Sequence, residues 1–297
     1  MKTFVEDYKG KKVHNLRFYN LTDLYDYLKS DPPINRDVFR KLSSMSNHHL
    51  DFYGEPLPKA IEYIIYGYNQ GLDNFLEISS NLSKVGYKPE LTYREELSLY
   101  GGVPIASLVA QGINQCMLSN VYNEEYRVID VYYNLSYPAK ATDGQIRNRG
   151  LATIYIIQAL EAKGYLVNFR AFELSKCNNE MFHLNIDLKK PGELFLNVEK
   201  CYYPMVAKEF LRRILFRIIE SSSVKNRDWD DGYGYSCSVD EMRDYFKTKE
   251  QDIVISAPSE MGITGLDIYE DTLNLIRKLN LENEFDVKKI KSLSRNQ

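Results

Sequence analysis

The chain has 297 residues, enough to bury a sizeable core in one large domain or two ordinary ones without disulfide staples. Hydrophobic residues are 44% and charged residues 27%, the balance of a soluble globular protein, and a net charge of −3 argues against a general nucleic-acid binder. No apolar run reaches the ~20 residues of a membrane span, and MKTFVEDYKGKK lacks the apolar stretch of a secretion signal, so a cytoplasmic protein is expected.

Residues 1–90 read as a mostly helical region. A short strand over Val13 to Phe18 comes first. Asn20 or Thr22 then caps a helix through Leu28. Asp31-Pro32-Pro33 breaks that helix, and Asn35 opens another ending near Leu42. Ala60, Ile61, Ile64, Ile65 and Tyr68 share one helical face; after Gly71 the pattern resumes at Leu72, Phe75, Leu76, Ile78 and Leu82. Residues 91–123 read as a connector: a strand over Leu91 to Tyr100, a Gly101-Gly102 turn and a helix over Ile105 to Ala110.

Residues 124–297 alternate strands with helices. Tyr126 to Tyr133 carries few charges and reads as a central strand. Ile146 to Ala162 is apolar on nearly every side, so the helix should be buried, and Lys163-Gly164 ends it. Tyr165 to Phe172 returns as a parallel strand, completing a βαβ unit. Met181 to Leu188 and Leu194 to Val198 read as a hairpin joined at Lys190-Pro191-Gly192, and a helix follows from Met205 to Glu220. A polar loop (221–237), a strand at Asp252 to Ser256 and a helix from Tyr269 to Leu279 close the chain. The expected fold class is α/β, with a central, mainly parallel sheet flanked by helices.

Three stretches carry candidate chemistry. In ATDGQIRNRG a helix starts after a strand, a ready anion site to which Arg147 and Arg149 add charge. The glycine spacing of a P-loop or dinucleotide fingerprint is absent, and the alternative is a solvated cap with Gly150 allowing close helix–sheet contact. In NRDWDDGYGYSC, Asp228, Asp230 and Asp231 are the carboxylates for a metal, while Trp229, Tyr233 and Tyr235 suit a contact loop; Asp-Gly is also plain turn chemistry. Arg212, Arg213 and Arg217 form a basic stripe that reads as a solvated helix face or as a surface for phosphate or an acidic partner. Cys116, Cys177, Cys201 and Cys237 lack zinc-ligand spacing and read as reduced thiols. No nucleophile constellation stands out. The 24 Tyr, against 13 Phe and one Trp, reflect either compositional bias or a contact surface that is apolar yet hydrogen-bonding.

The order strand, polar loop, buried helix, strand, hairpin, helix, strand, helix over residues 124–280 resembles the von Willebrand factor A fold, itself Rossmann-like. That resemblance implies a cation loop of the form Asp-x-Ser-x-Ser. Here the loop reads Asn134-Leu135-Ser136-Tyr137-Pro138, keeping Asn134 and Ser136 as oxygen donors but losing the acid and one hydroxyl, so no divalent cation is expected. HLDFYGEPLPKAIEYIIYGYNQG, YGGVPIASLVAQGINQCM, RNRG and GYLVNFRAFEL resemble a family of tailed-bacteriophage proteins. Gly54, Ala60, Gly67, Tyr68, Val103, Leu108, Ala110, Gly112 and Arg149-Gly150 carry the likeness, which implies a phage and host-cell setting rather than a chemistry. The reading is a non-catalytic interaction protein that binds a host or phage protein complex or itself, for instance in evading host defence. The alternative is a nucleotide or nucleic-acid binder using Arg147, Arg149 and the Arg212–Arg217 stripe.

Overall fold

A computed structural model describes residues 1–39, 42–46, 49–86, 93–99, 103–122, 128–177, 179–193, 195–224 and 235–294. Strands β1 (Lys2–Tyr8) and β2 (Lys11–Phe18) form a hairpin around Lys9-Gly10, both at positive φ. β1 has no counterpart in the sequence reading because nearly all its side chains face water, leaving no apolar alternation. Asn20 caps α1 (Leu21–Lys29), accepting the Asp23 amide at 2.8 Å. The helix expected from Asn35 is a turn at 36–38 instead. The Asn35 side-chain amide donates to the Ser222 and Val224 carbonyls at 3.0 and 2.8 Å, a tertiary anchor that overrides local propensity.

Helices α2 (Leu50–Tyr53), α3 (Leu57–Tyr66) and α4 (Leu72–Gly86) follow. β3 (Tyr93–Ser98), β4 (Val103–Pro104), α5 (Ala106–Ala110) and β5 (Met117–Tyr122) then form a lobe whose antiparallel sheet runs β3-β5-β4. The main fold continues through β6 (Val128–Asn134), α6 (Asp143–Ala162), β7 (Leu166–Cys177), β8 (Glu180–Lys189) and α7 (Val198–Val206). A π-helical segment (Phe210–Leu215) runs into α8 (Phe216–Glu220). β9 (Tyr235–Ser236), α9 (Val239–Phe246), β10 (Ile253–Ile255), α10 (Ile268–Lys278) and α11 (Val287–Ser294) complete it.

The main sheet runs β1-β2-β8-β7-β6-β10, with β9 on the far end of β7. β6 pairs parallel with both β7 and β10, and β2 with β8, while β1–β2, β7–β8 and β7–β9 are antiparallel. The sheet is therefore mixed rather than mainly parallel. β7 continues five residues past Phe172 and turns back directly into β8, so the hairpin is β7–β8. Residues 195–197 form no strand, which removes the hairpin expected at Lys190-Pro191-Gly192.

Side-chain alternation divides the sheet cleanly. Val131, Tyr133, Phe169, Ala171, Phe182, Leu184, Ile186, Ile253 and Ile255 face the principal core, where α6, α7 and α10 pack. Leu24, Leu28, Ala60, Ile64 and Phe75 belong to the same core: α1 packs on β2 and β8, while α3 and α4 pack on the helices that cover the sheet. Tyr132, Phe172, Leu174, Met181 and Val254 face a smaller cluster under α9. Beyond α9 that second face is a charged ladder: Arg17 meets Asp187 at 2.9 Å, and Arg170 lies 3.9 Å from Asp187 and 3.5 Å from Asp130.

α6 is buried along fourteen of its twenty residues, as its all-round apolar sequence requires. Thr142 is its cap, in a reciprocal box with Gln145. Gly150 faces the end of α7 rather than the sheet: a Cβ there would collide with the Met205 carbonyl and the Val206 side chain. The expected Met205–Glu220 helix is interrupted at Ala207, whose extended backbone (φ −99°, ψ 126°) ends α7. Among the described residues no helix is long and apolar enough to cross a membrane.

Candidate functional site

The loop after β6 is built into the fold. The Asn134 side chain is fully buried; its amide donates to Ser236 Oγ at 2.8 Å, and its Oδ1 accepts the Ser136 amide at 2.9 Å. The Ser136 hydroxyl donates to the buried Glu173 carboxylate on β7. The Tyr137 hydroxyl donates to the Lys208 carbonyl at 3.2 Å. Both oxygen donors inferred from the cation-loop comparison thus have partners within the chain. Glu173 had no signal in the sequence, because its strand was expected to end at Phe172. Burial pushes its pKa up to about 7, against the opposing hydroxyls of Ser136 and Ser175.

The two arginines at the start of α6 part company. Arg149 is 1% exposed. Its Nε donates to the Tyr133 hydroxyl and its Nη1 to the Ser256 carbonyl, both at 2.9 Å, and its guanidinium lies 4.5 Å from the Tyr133 ring centre. It ties β6, α6 and the segment after β10 together and offers nothing to an external anion. Arg147, two positions earlier, is exposed and lines two crevices.

The Arg212–Arg217 stripe is not a solvated face. Arg212, Arg213 and Arg217 are all under 5% exposed. Arg213 donates to the carbonyls of Ser44, Ser46, Gly54 and Glu55 at 2.6–3.3 Å. Arg212 reaches the Phe52 and Ala139 carbonyls and stacks 3.9 Å from the Phe52 ring centre. Arg217 holds Asp31 and the Pro32 carbonyl. The chain between α1 and α3 has little regular structure, and these guanidinium forks satisfy its carbonyls. Helical spacing could not show which side of the helix that chain would cover.

Trp229, Tyr233, Asp228, Asp230 and Asp231 lie outside the described residues, and Tyr235 enters β9, opposite Lys176. Among the described residues no three His, Cys, Asp or Glu side chains are placed to hold a metal ion. Cys201 and Cys237 are buried free thiols.

Among the described residues, two of the features open to an outside molecule stand out. One is a crevice of about 360 Å³ between the Leu50–Pro56 segment, Tyr68–Gly71, the first turns of α6 and Tyr202–Glu209. It opens at the N-terminal end of α6, beyond the carboxyl end of β6, where α/β folds commonly place ligands. Lys208 closes one rim, donating to Asp143 at 2.8 Å and to the Asp51 carbonyl at 2.6 Å. The other is the β3–β5 lobe. Among its residues whose side chains are described, none is buried: Leu97, Leu99, Val109 and Ile113 are 42–55% exposed.

No curated protein and no solved structure matches the chain. A family model described as "Domain of unknown function (DUF7192)" matches residues 5–283, running from β1 through the lobe and the main sheet to the turn before α11. The hairpin edge, the helices bolted by arginine and the α6 crevice are thus parts of one family unit, and the chain belongs to the DUF7192 family.

Proposed function

We propose that the chain is a non-catalytic protein–protein interaction protein that presents the β3–β5 lobe to a partner. The observation that carries this is the lobe's lack of any buried residue among the side chains described, although Leu97, Leu99, Val109 and Ile113 project from it. Exposed apolar side chains of this kind are covered when a second surface meets them. The tailed-phage likeness makes a host complex the first partner to seek, with self-association as the other form of the same reading. The β6-α6-β7 unit and the Asn134–Ser136 loop support the reading of a degenerate von Willebrand A-like domain. The nucleotide alternative retains only Arg147, because Arg149 and the stripe are engaged inside the protein.

The test combines light-scattering mass determination of the pure protein with tagged capture from host lysate. Each is run on the parent and on a Leu97→Asp/Val109→Asp variant. The expected result is a stoichiometric complex or dimer that the variant loses, while its unfolding free energy stays within the effect of surface changes, about 0.5 kcal/mol. A parent that is monomeric and captures nothing, or a variant that binds as well as the parent, would sink the proposal.

A further inference from the structure

Glu209 is the outlier of the α6 crevice. Its side chain is 4% exposed, yet among the described residues no other residue donates a hydrogen bond to its carboxylate. A carboxylate so buried is ordinarily paired or hydrogen-bonded several times over. Lys208, the adjacent cation, is directed to Asp143 and the Asp51 carbonyl. Burial raises the pKa of Glu209 above the ordinary carboxylate value; the Lys208 charge opposes that shift, and Glu55 and Asp143 add to it. Opposite stand Tyr68 and Tyr202, their ring centres 6.2 Å apart and inclined by 32°. Gly54, at φ +74°, forms the remaining wall; a Cβ there would lie 2.6 Å from Glu209 Oε2. The crevice is thus lined by four acids, Asp51, Glu55, Asp143 and Glu209, against two cations, Arg147 and Lys208, with Tyr68 and the edge of the buried Tyr202 beside them, and the complement to that acidic excess is positive charge.

We infer that this crevice binds an organic cation, an alkylammonium or guanidinium group, with its charge against Glu209 and its alkyl part beside Tyr68 and Tyr202. This site is independent of the lobe and of the partner reading. Among the described residues no three His, Cys, Asp or Glu side chains are placed to share a metal ion there. A volume of about 360 Å³ suits a group the size of one long side chain. The cation is therefore either a free small amine or a Lys or Arg side chain of another polypeptide.

The experiment is calorimetric titration of the full chain near neutral-to-basic pH with L-argininamide, n-butylammonium, an end-blocked Gly-Gly-Arg-Gly-Gly peptide and neutral pentanamide. Saturable binding of the small cations assigns a free amine, and binding of the peptide alone assigns a partner's side chain; either supports the site. Glu209→Gln should weaken binding on the order of tenfold to a hundredfold, since a charge-assisted bond is lost. Tyr68→Leu should weaken it less, and Glu62→Gln, on the exposed side of α3, should leave it unchanged. If Glu209→Gln fails to fold, Tyr68→Leu carries the comparison. No heat from any cation at millimolar concentration overturns the assignment. So does equal binding of pentanamide, or undiminished binding by Glu209→Gln.

Discussion

Replacing Glu173 by Gln should stabilise the protein at alkaline pH and do little at acidic pH. Glu173 is 3% exposed on β7, and its pKa is raised from 4.5 to about 7, chiefly by burial. Below pH 4.5 the group is protonated in both the folded and the unfolded chain. Between 4.5 and about 7 the unfolded chain releases the proton while the folded one retains it, so stability falls as pH rises. Above that range the loss is constant, about 3 kcal/mol at ~1.4 kcal/mol per pH unit. Glutamine has nearly the same shape, can accept the Ser136 hydroxyl and never ionises. The variant should therefore match the parent near the acid end of the range and exceed it by up to about 3 kcal/mol at the alkaline end. The assay is urea unfolding of both proteins across that range, read as the variant-minus-parent difference so that other titrating groups cancel. A difference that stays flat with pH, or a variant less stable than the parent at alkaline pH, would refute the argument that Glu173 ionises in a dry site.

Three further outcomes follow from packing and pairing. Gly150→Ala should destabilise by about 1–3 kcal/mol, because the new methyl meets the α7 backbone rather than a movable side chain; thermal unfolding measures it. Arg213→Lys should cost about 2–3 kcal/mol and speed amide exchange between Ser44 and Glu55, since an ammonium cannot reproduce a fork to four carbonyls. Lys189→Met leaves the Glu161 carboxylate buried without the Lys189 ammonium that lies 3.0 Å away. It should cost about 3–5 kcal/mol, much of it recovered by adding Glu161→Leu, as denaturant midpoints would show.

What the sequence determined by itself was local periodicity and its punctuation. The apolar circumference of α6 announced a buried crossover helix, Asn20 or Thr22 announced the start of α1, which the structure places at Asn20, and Val, Ile and Tyr density announced β6 as a central strand, because each signal lies within a few residues of its cause. The tertiary structure decided everything that depends on what lies across a gap. β7 outran its apolar run and turned directly into β8, because what carries it past Phe172 is ladder pairing with β8 rather than a longer apolar run. Arg212, Arg213 and Arg217 have helical spacing that suits solvent equally well; only the irregular 31–56 segment folding over them made them internal donors. Arg147 and Arg149 are two residues apart and chemically identical, yet two positions rotate a helix by more than half a turn, which puts one in the crevice mouth and the other in the core. Glu209 and Glu173 carry no sequence signal at all: a carboxylate becomes unusual through the solvent and partners it loses, and those are set by residues more than thirty positions away.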